Sequence, residues 1–186
     1  PSDAMQRFAV DAPDFVAASV FRSRLEQALV KENAEGSTVI KALGGAMPNT
    51  IDGQIALAVA YRAAGEVKRA TAIARSLWVD NFLDRATEDR VLAQFGDLLN
   101  GDAHWQRAVH LMMHDRASAV ERLLDKLTPA QKSLAIARNA TSRNDKNAKK
   151  LLDSVDPAMT SNPVFYFSRA QRARQFELWD DAINWL

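Results

Sequence analysis

The sequence predicts an all-α protein, and three observations carry that prediction. Thirty-two of the 186 residues are alanine, while Gly and Pro number only 7 and 6. Alanine is the best helix former and the other two are the worst, so the composition favours many closely packed helices. Apolar residues recur at a spacing near 3.6 from end to end, and no segment alternates as a strand would.

The elements follow in order. Phe15 to Lys31 places Phe15, Val16, Val20, Phe21, Leu25, Ala28 and Leu29 on one face, and Glu35-Gly36-Ser37 breaks the pattern. Thr38 to Leu43 is short and stops at Gly44-Gly45 and Pro48. Helices are predicted over Ile51 to Ala64, closed by Gly65, then over Val67 to Trp78 and Arg85 to Leu99, ended by Asn100-Gly101. Asp102 is the expected N-cap of Ala103 to Met113. His114-Asp115-Arg116 reads as a tight turn before Ala117 to Leu127. Thr128-Pro129 caps and starts Ala130 to Ala140. Asn144 to Leu152, Pro163 to Arg174 and Leu178 to Leu186 complete the series.

Turns this short make neighbouring helices antiparallel. Small residues recur where helices would press together: Ala60, Ala64 and Gly65 before Ala70, and Ser168, Ala170 and Ala173 before Ala182. The expected architecture is therefore an α-solenoid, a superhelix of stacked antiparallel hairpins of tetratricopeptide-like type. Its period is near 30–35 residues, and residues 1–186 form one domain of it.

Composition bounds the function. No apolar run approaches the roughly 20 residues that cross a bilayer. Lys plus Arg (24) nearly balance Asp plus Glu (23), so no electrostatic surplus points to nucleic acid. The absence of Cys removes disulfides and thiolate chemistry. The chain opens Pro1-Ser2-Asp3, without an initiator Met or a basic-then-apolar leader, and stops at Asn184-Trp185-Leu186 inside a helical pattern. It reads as a fragment of a longer protein.

Candidate chemistry is sparse. His110 and His114 share a helix face at a spacing that can hold a metal, but the H-E-x-x-H pattern is missing. A solvated pair is the simpler reading, and packing or capping is that of His104 beside Trp105. The seven glutamates, Glu26, Glu32, Glu35, Glu66, Glu88, Glu121 and Glu177, all read as solvated charges, whereas glycoside hydrolysis wants a carboxyl in a sheltering cleft. Lys146, Lys149 and Lys150, with Arg138 and Arg143 nearby, read as a solvated face interrupted by Asp145 and Asp153. Trp78, Trp105, Trp179 and Trp185 are spaced as core residues or hairpin wedges. No catalytic, cofactor-binding or metal residue is assigned.

The stretch from Ala58 to Ala140 resembles the superhelical N-terminal region of soluble lytic murein transglycosylases. Gly65-Glu66 followed by Ala70, Ile73, Arg75 and Trp78 resembles a glycine-turned hairpin of that family. Glu88, Val91, Leu92, Phe95, Gly96 and Leu99 resemble its next helix. Asp102, His104, Arg107, Leu111 and Met112 resemble its Asp-His-x-x-Arg stretch, although Ala103 here separates Asp from His. Asp115-Arg116 with Ala119, and Ala135, Ala137, Arg138 and Ala140, continue the order. Arg169-Ala170 with Ala173-Arg174 resembles a later Arg-Ala-rich helix.

The resemblance implies a bacterial periplasmic protein whose lysozyme-like C-terminal domain cleaves the MurNAc–GlcNAc bond of peptidoglycan to 1,6-anhydro products. The family marks its acid–base Glu with Glu-Ser and a Gly-Leu-Met-Gln stretch. This chain has neither, so no catalytic residue carries over. The implied role is a non-catalytic scaffold, inactive alone, with no cofactor. Its implied partners are glycan strands, weakly bound, and the catalytic domain of the same protein. The alternative from another class is a tetratricopeptide-like adaptor that binds a protein or peptide. A metal hydrolase built on His110 and His114 is a third.

Overall fold

The computed structural model describes residues 2–11 and 18–185. Phe15 and Val16, placed at the head of a helix by the sequence pattern, lie outside the described residues, as do Pro1 and Leu186. Among the described residues the fold is all-helical, with twelve α-helices and no strand. The chain divides into two compact units, 1–99 and 100–186.

The first unit contains α1 (Ser2–Asp11), α2 (Ala18–Lys31), α3 (Gly36–Leu43), α4 (Ile51–Ala63), α5 (Val67–Asp80) and α6 (Arg85–Phe95). Helix α4 is its centre: it packs most extensively on α5, and also on α3 and α2. Small residues make this approach possible. Ala58, Ala60, Ala70 and Ala74 are buried, and Leu57, Leu77 and Trp78 fill the space they leave. Each such large apolar side chain contributes about 1.5–3 kcal/mol by leaving water. Ala64, expected at the same interface, is exposed at the helix end. No helix was expected over residues 2–11, and α1 leaves Phe8 and Val10 exposed. Ser2 ties its start to the end of α2 by donating to Glu32 from both N (3.2 Å) and Oγ (2.6 Å).

The second unit contains α7 (Gly101–Met113), α8 (Ala117–Glu121), α9 (Pro129–Ser142), α10 (Ala148–Asp153), α11 (Pro163–Gln175) and α12 (Trp179–Asn184). Consecutive helices pair as α7 with α8, α9 with α10, and α11 with α12. The first member of each pair also packs on the first member of the next, α7 on α9 and α9 on α11. Buried Ser168, Ala170, Ala173 and Ala182 occupy the α11 and α12 faces where small residues were expected.

Several boundaries differ from expectation for local reasons. Asn100, and not Asp102, caps α7: its Oδ1 accepts from Ala103 N at 2.9 Å. Asp102 instead lies in the first turn, where an acid faces the positive helix end. The helix expected over residues 117–127 stops at Glu121 and resumes as a 3₁₀ turn at Leu124–Lys126. The tighter winding turns Val120, Leu123 and Leu127 all inward. Thr128 and Gln131 form the capping box that starts α9.

One turn recurs. Asn33, Gly65, Asp115, Asn144 and Glu177 all have left-handed backbones, with φ of 50, 79, 55, 53 and 57°. After each, the next residue donates its N–H to a carbonyl five positions back: Ala34 to Leu29, Glu66 to Tyr61, Arg116 to Leu111, Asp145 to Ala140, and Leu178 to Ala173, at 2.8–3.0 Å. Each left-handed residue also donates to the carbonyl three positions back, at 3.0–3.4 Å. These are five Schellman closures, which satisfy helix-end carbonyls while the chain reverses. Asn33 and Gly65 are 32 positions apart, Asp115 and Asn144 are 29, and Asn144 and Glu177 are 33.

Only Gly adopts φ > 0 without cost, and Asn and Asp tolerate it better than other residues. Glu177 is therefore the strained member. A side chain at Gly65 would meet nothing within 4 Å, so its substitution tests backbone strain alone. Glu177→Gly is expected to stabilise the chain, and Gly65→Ala to destabilise it, each by about 1 kcal/mol. Urea unfolding at constant m-value measures both.

Candidate functional site

The histidines expected on one face of α7 do meet. The His110 and His114 rings lie 4.5 Å apart between centroids, tilted by 38°. His114 Nδ1 donates to the His110 carbonyl at 2.7 Å, which commits that nitrogen to the helix end. Among the described residues no group of three or more His, Cys, Asp or Glu gathers as a metal site would require. His104 is half-buried at the start of α7. Burial, followed by the nearby Lys126 ammonium, holds its imidazole below the usual value, with Asp125 opposing.

The glutamates correct the sequence reading: Glu26 and Glu88 are buried rather than solvated. Glu26 accepts from Asn49 N at 2.8 Å and from Thr50 N at 2.7 Å, and Arg22 lies 3.4 Å away. It thus binds the backbone that leads into α4. A Cβ on Gly53 would come within 2.8 Å of the Glu26 carboxylate, so only glycine lets α4 approach this closely. The arrangement holds a loop, and at 0% exposure it faces no substrate. Glu66 pairs with Arg69 and Glu121 with Arg143 on the surface, where such pairs contribute at most about 1 kcal/mol.

The basic cluster also separates. Lys146, Lys149 and Lys150 are exposed, and Lys149 pairs with Asp153 at 2.8 Å. Arg138 is fully buried. Its Nε donates to the Met112 carbonyl (3.1 Å), Nη1 to Gln171 Oε1 (2.6 Å) and Nη2 to Asp115 Oδ1 (2.6 Å). The Phe167 ring lies 4.9 Å from the guanidinium carbon. Burial lowers the proton affinity of this guanidinium and Asp115 opposes that. An arginine remains charged under such shifts. One side chain therefore joins α9 to α7, to the turn after it and to α11. Of the tryptophans, Trp78 is core, but Trp179 is 58% exposed and corrects the wedge reading. Trp185 sets its ring 5.9 Å from Phe165, beneath Arg169.

A groove of about 390 Å³ lies in the first unit. Buried Leu29, Val39, Ile55 and Ala60 line it, together with the exposed Val30 of α2 and Val59 of α4. Asp52 and Arg90 pair at 2.6 Å on its rim. A second clamp sits nearby: Arg62 reaches both carboxylate oxygens of Asp97 (2.9 and 2.8 Å) and the Gln94 carbonyl (2.7 Å). The two ion pairs tie α4 to α6 and to the turn after it. The lining is mainly apolar, with the Asp52–Arg90 pair as its charged part. No helix among the described residues is long and apolar enough to cross a membrane.

The depressed His104 imidazole has a signed consequence. A folded value below the unfolded one means that the unfolded chain binds the extra proton first, so stability rises with pH. The His104 contribution is complete above the unfolded value, near 6.5, and declines as pH falls below it. His104→Gln is expected to flatten the stability profile between about pH 5 and 6.5, as read by thermal unfolding. An unchanged slope would show that this imidazole titrates alike in both states. Comparisons with family models, curated proteins and solved structures find no match, so the functional reading rests on the residues themselves.

Proposed function

We propose that this chain is a non-catalytic superhelical scaffold of a periplasmic lytic murein transglycosylase. It holds a peptidoglycan glycan strand weakly and positions a lysozyme-like catalytic domain of the same protein. The observation that carries this reading is the placement of the residues behind the family resemblance. Gly65 takes a left-handed turn at φ 79°. Ala70, Ile73, Trp78, Val91, Phe95, Leu99, Arg107, Leu111, Met112, Ala135, Ala137 and Arg138 are all buried. Much of the likeness thus falls on packing positions, although Glu66, Asp102, Arg116 and Arg174 are exposed.

The packing order α7–α9–α11 and the closures recurring after 32 residues in the first unit and after 29 and 33 in the second support a stacked arrangement. Stacking turns a repeated unit into a long binding surface, which suits a polymer ligand. The apolar lining of the groove at α4 favours a second reading, a tetratricopeptide-like adaptor for a peptide.

Sedimentation with purified sacculi separates the two. The scaffold reading expects the chain to pellet with sacculi in a saturable way and to release no anhydro-muropeptides. Failure to pellet favours the adaptor, and anhydro-muropeptides released by the chain alone would overturn the non-catalytic assignment.

A further inference from the structure

In the second unit each new helical hairpin seats its first helix on both members of the hairpin before it. Helix α9 packs on α7 and on α8, and α11 packs on α9 and on α10. The last hairpin, α11 with α12, holds an open apolar cleft of about 320 Å³. Phe167, Ala170 and Arg174 of α11 line it together with Trp179, Ala182 and Ile183 of α12. We propose that this cleft docks one amphipathic α-helix of a partner protein, which extends the packing order α7–α9–α11 by one helix.

Two repeated features say what the occupant presents. Ala108, Ala137 and Ala170 each stand seven positions before a left-handed residue, Asp115, Asn144 and Glu177. Ala108 and Ala137 are fully buried, whereas Ala170 lines the open cleft. A small residue at that place lets a helix backbone approach closely. The second feature is the carbonyl three positions before each left-handed residue. That of Met112 accepts from Arg138 Nε of α9, and that of Thr141 accepts from Gln175 Nε2 of α11, both at 3.1 Å. Arg174 holds the third such place, exposed beside the cleft. The occupant thus brings an Arg or Gln to the Arg174 carbonyl, a small residue over Ala170, and larger apolar side chains against Trp179 and Ile183. Anchors on one helix face are how a helix reads a groove.

Exposure supports the site. Trp179 and Ile183, with Phe176 and Leu178 beside the turn, are each more than half exposed, and a patch of this kind marks an interaction surface. The helices that fill the two earlier seats have 14 and 13 residues, so residues 1, 12–17 and 186 are too few to supply another. In a second copy α9 and α11 already occupy their own seats. The site lies wholly in the second unit, and neither reading of the chain's function assigns it.

The probe is a synthetic peptide of residues 128–143, the sequence of α9 with its cap, titrated into the ¹⁵N-labelled chain. Saturable shifts confined to residues 167–183 are expected. Ile183→Asp, at a side chain 71% exposed, should weaken binding about tenfold or more with the remaining spectrum unchanged. Arg138→Leu in the peptide should weaken it about threefold or more. If Ile183→Asp disturbs α12, Trp179→Ala serves with the same expected loss. A scrambled peptide that binds equally, non-saturating shifts, shifts elsewhere, or unchanged affinity in the variants would overturn the site. Shifts at residues 167–183 that grow with protein concentration alone would give the seat to a second copy. Binding that a longer native form of the protein refuses would give it to a helix of the same polypeptide. Either result overturns the partner.

Discussion

The structure depends on one backbone constraint, the left-handed residue at which a helix ends and the chain turns back. Without it the last carbonyls of α2, α4, α7, α9 and α11 would need water, and the helix after each could not begin within two to four residues of the turn. With it, Leu29, Tyr61, Leu111, Ala140 and Ala173 each give their carbonyl to the turn. All five of these residues are buried. The closure is thus made where hydrogen-bond satisfaction matters most, because an unpaired carbonyl away from water costs more than a bond gains. Alanine does the complementary work along the helix faces, since a hairpin closed this tightly has no room for large side chains on both partners.

Charge holds what the turns arrange. In the first unit Glu26 binds the backbone ahead of α4, and two arginine clamps fasten α4 to the segment around α6. In the second unit Arg138 fills the equivalent role from within. It serves the carbonyl end of α7, the acid of the left-handed turn, and the amide side chain of Gln171 together. A buried guanidinium is costly unless each of its faces is occupied, and here carbonyl, carboxylate, amide oxygen and aromatic ring occupy them. Asp115 contributes twice, once by its backbone and once by its carboxylate, which also accepts from Ser142 Oγ. Turn and core share that residue.

The helical class, the hairpin at Gly65, the turn at Asp115 and the Thr128 cap were legible because each is encoded by a local pattern. Four of the five left-handed positions were not. Asn33, Asp115, Asn144 and Glu177 do not announce φ > 0 as glycine does, and Asn144 was expected as the first residue of a helix. The burial of Glu26 was hidden because its partners, the amides of Asn49 and Thr50, lie more than twenty residues away. Arg138 looked like one member of a basic cluster for the same reason: its partners Met112, Asp115 and Gln171 are distant in sequence. Local propensity cannot show such partners. The 3₁₀ turn at Leu124–Lys126 was likewise chosen by the core over the helix that local propensity favoured.

Amide hydrogen exchange tests the shared closure most directly. The N–H groups of Ala34, Glu66, Arg116, Asp145 and Leu178 all lie in turns, yet each is bonded in the same way. All five are expected to exchange at least about tenfold more slowly than unstructured amides. Exchange of these amides at unstructured rates, while those in the flanking helices stay protected, would contradict the claim that left-handed closures organise the fold.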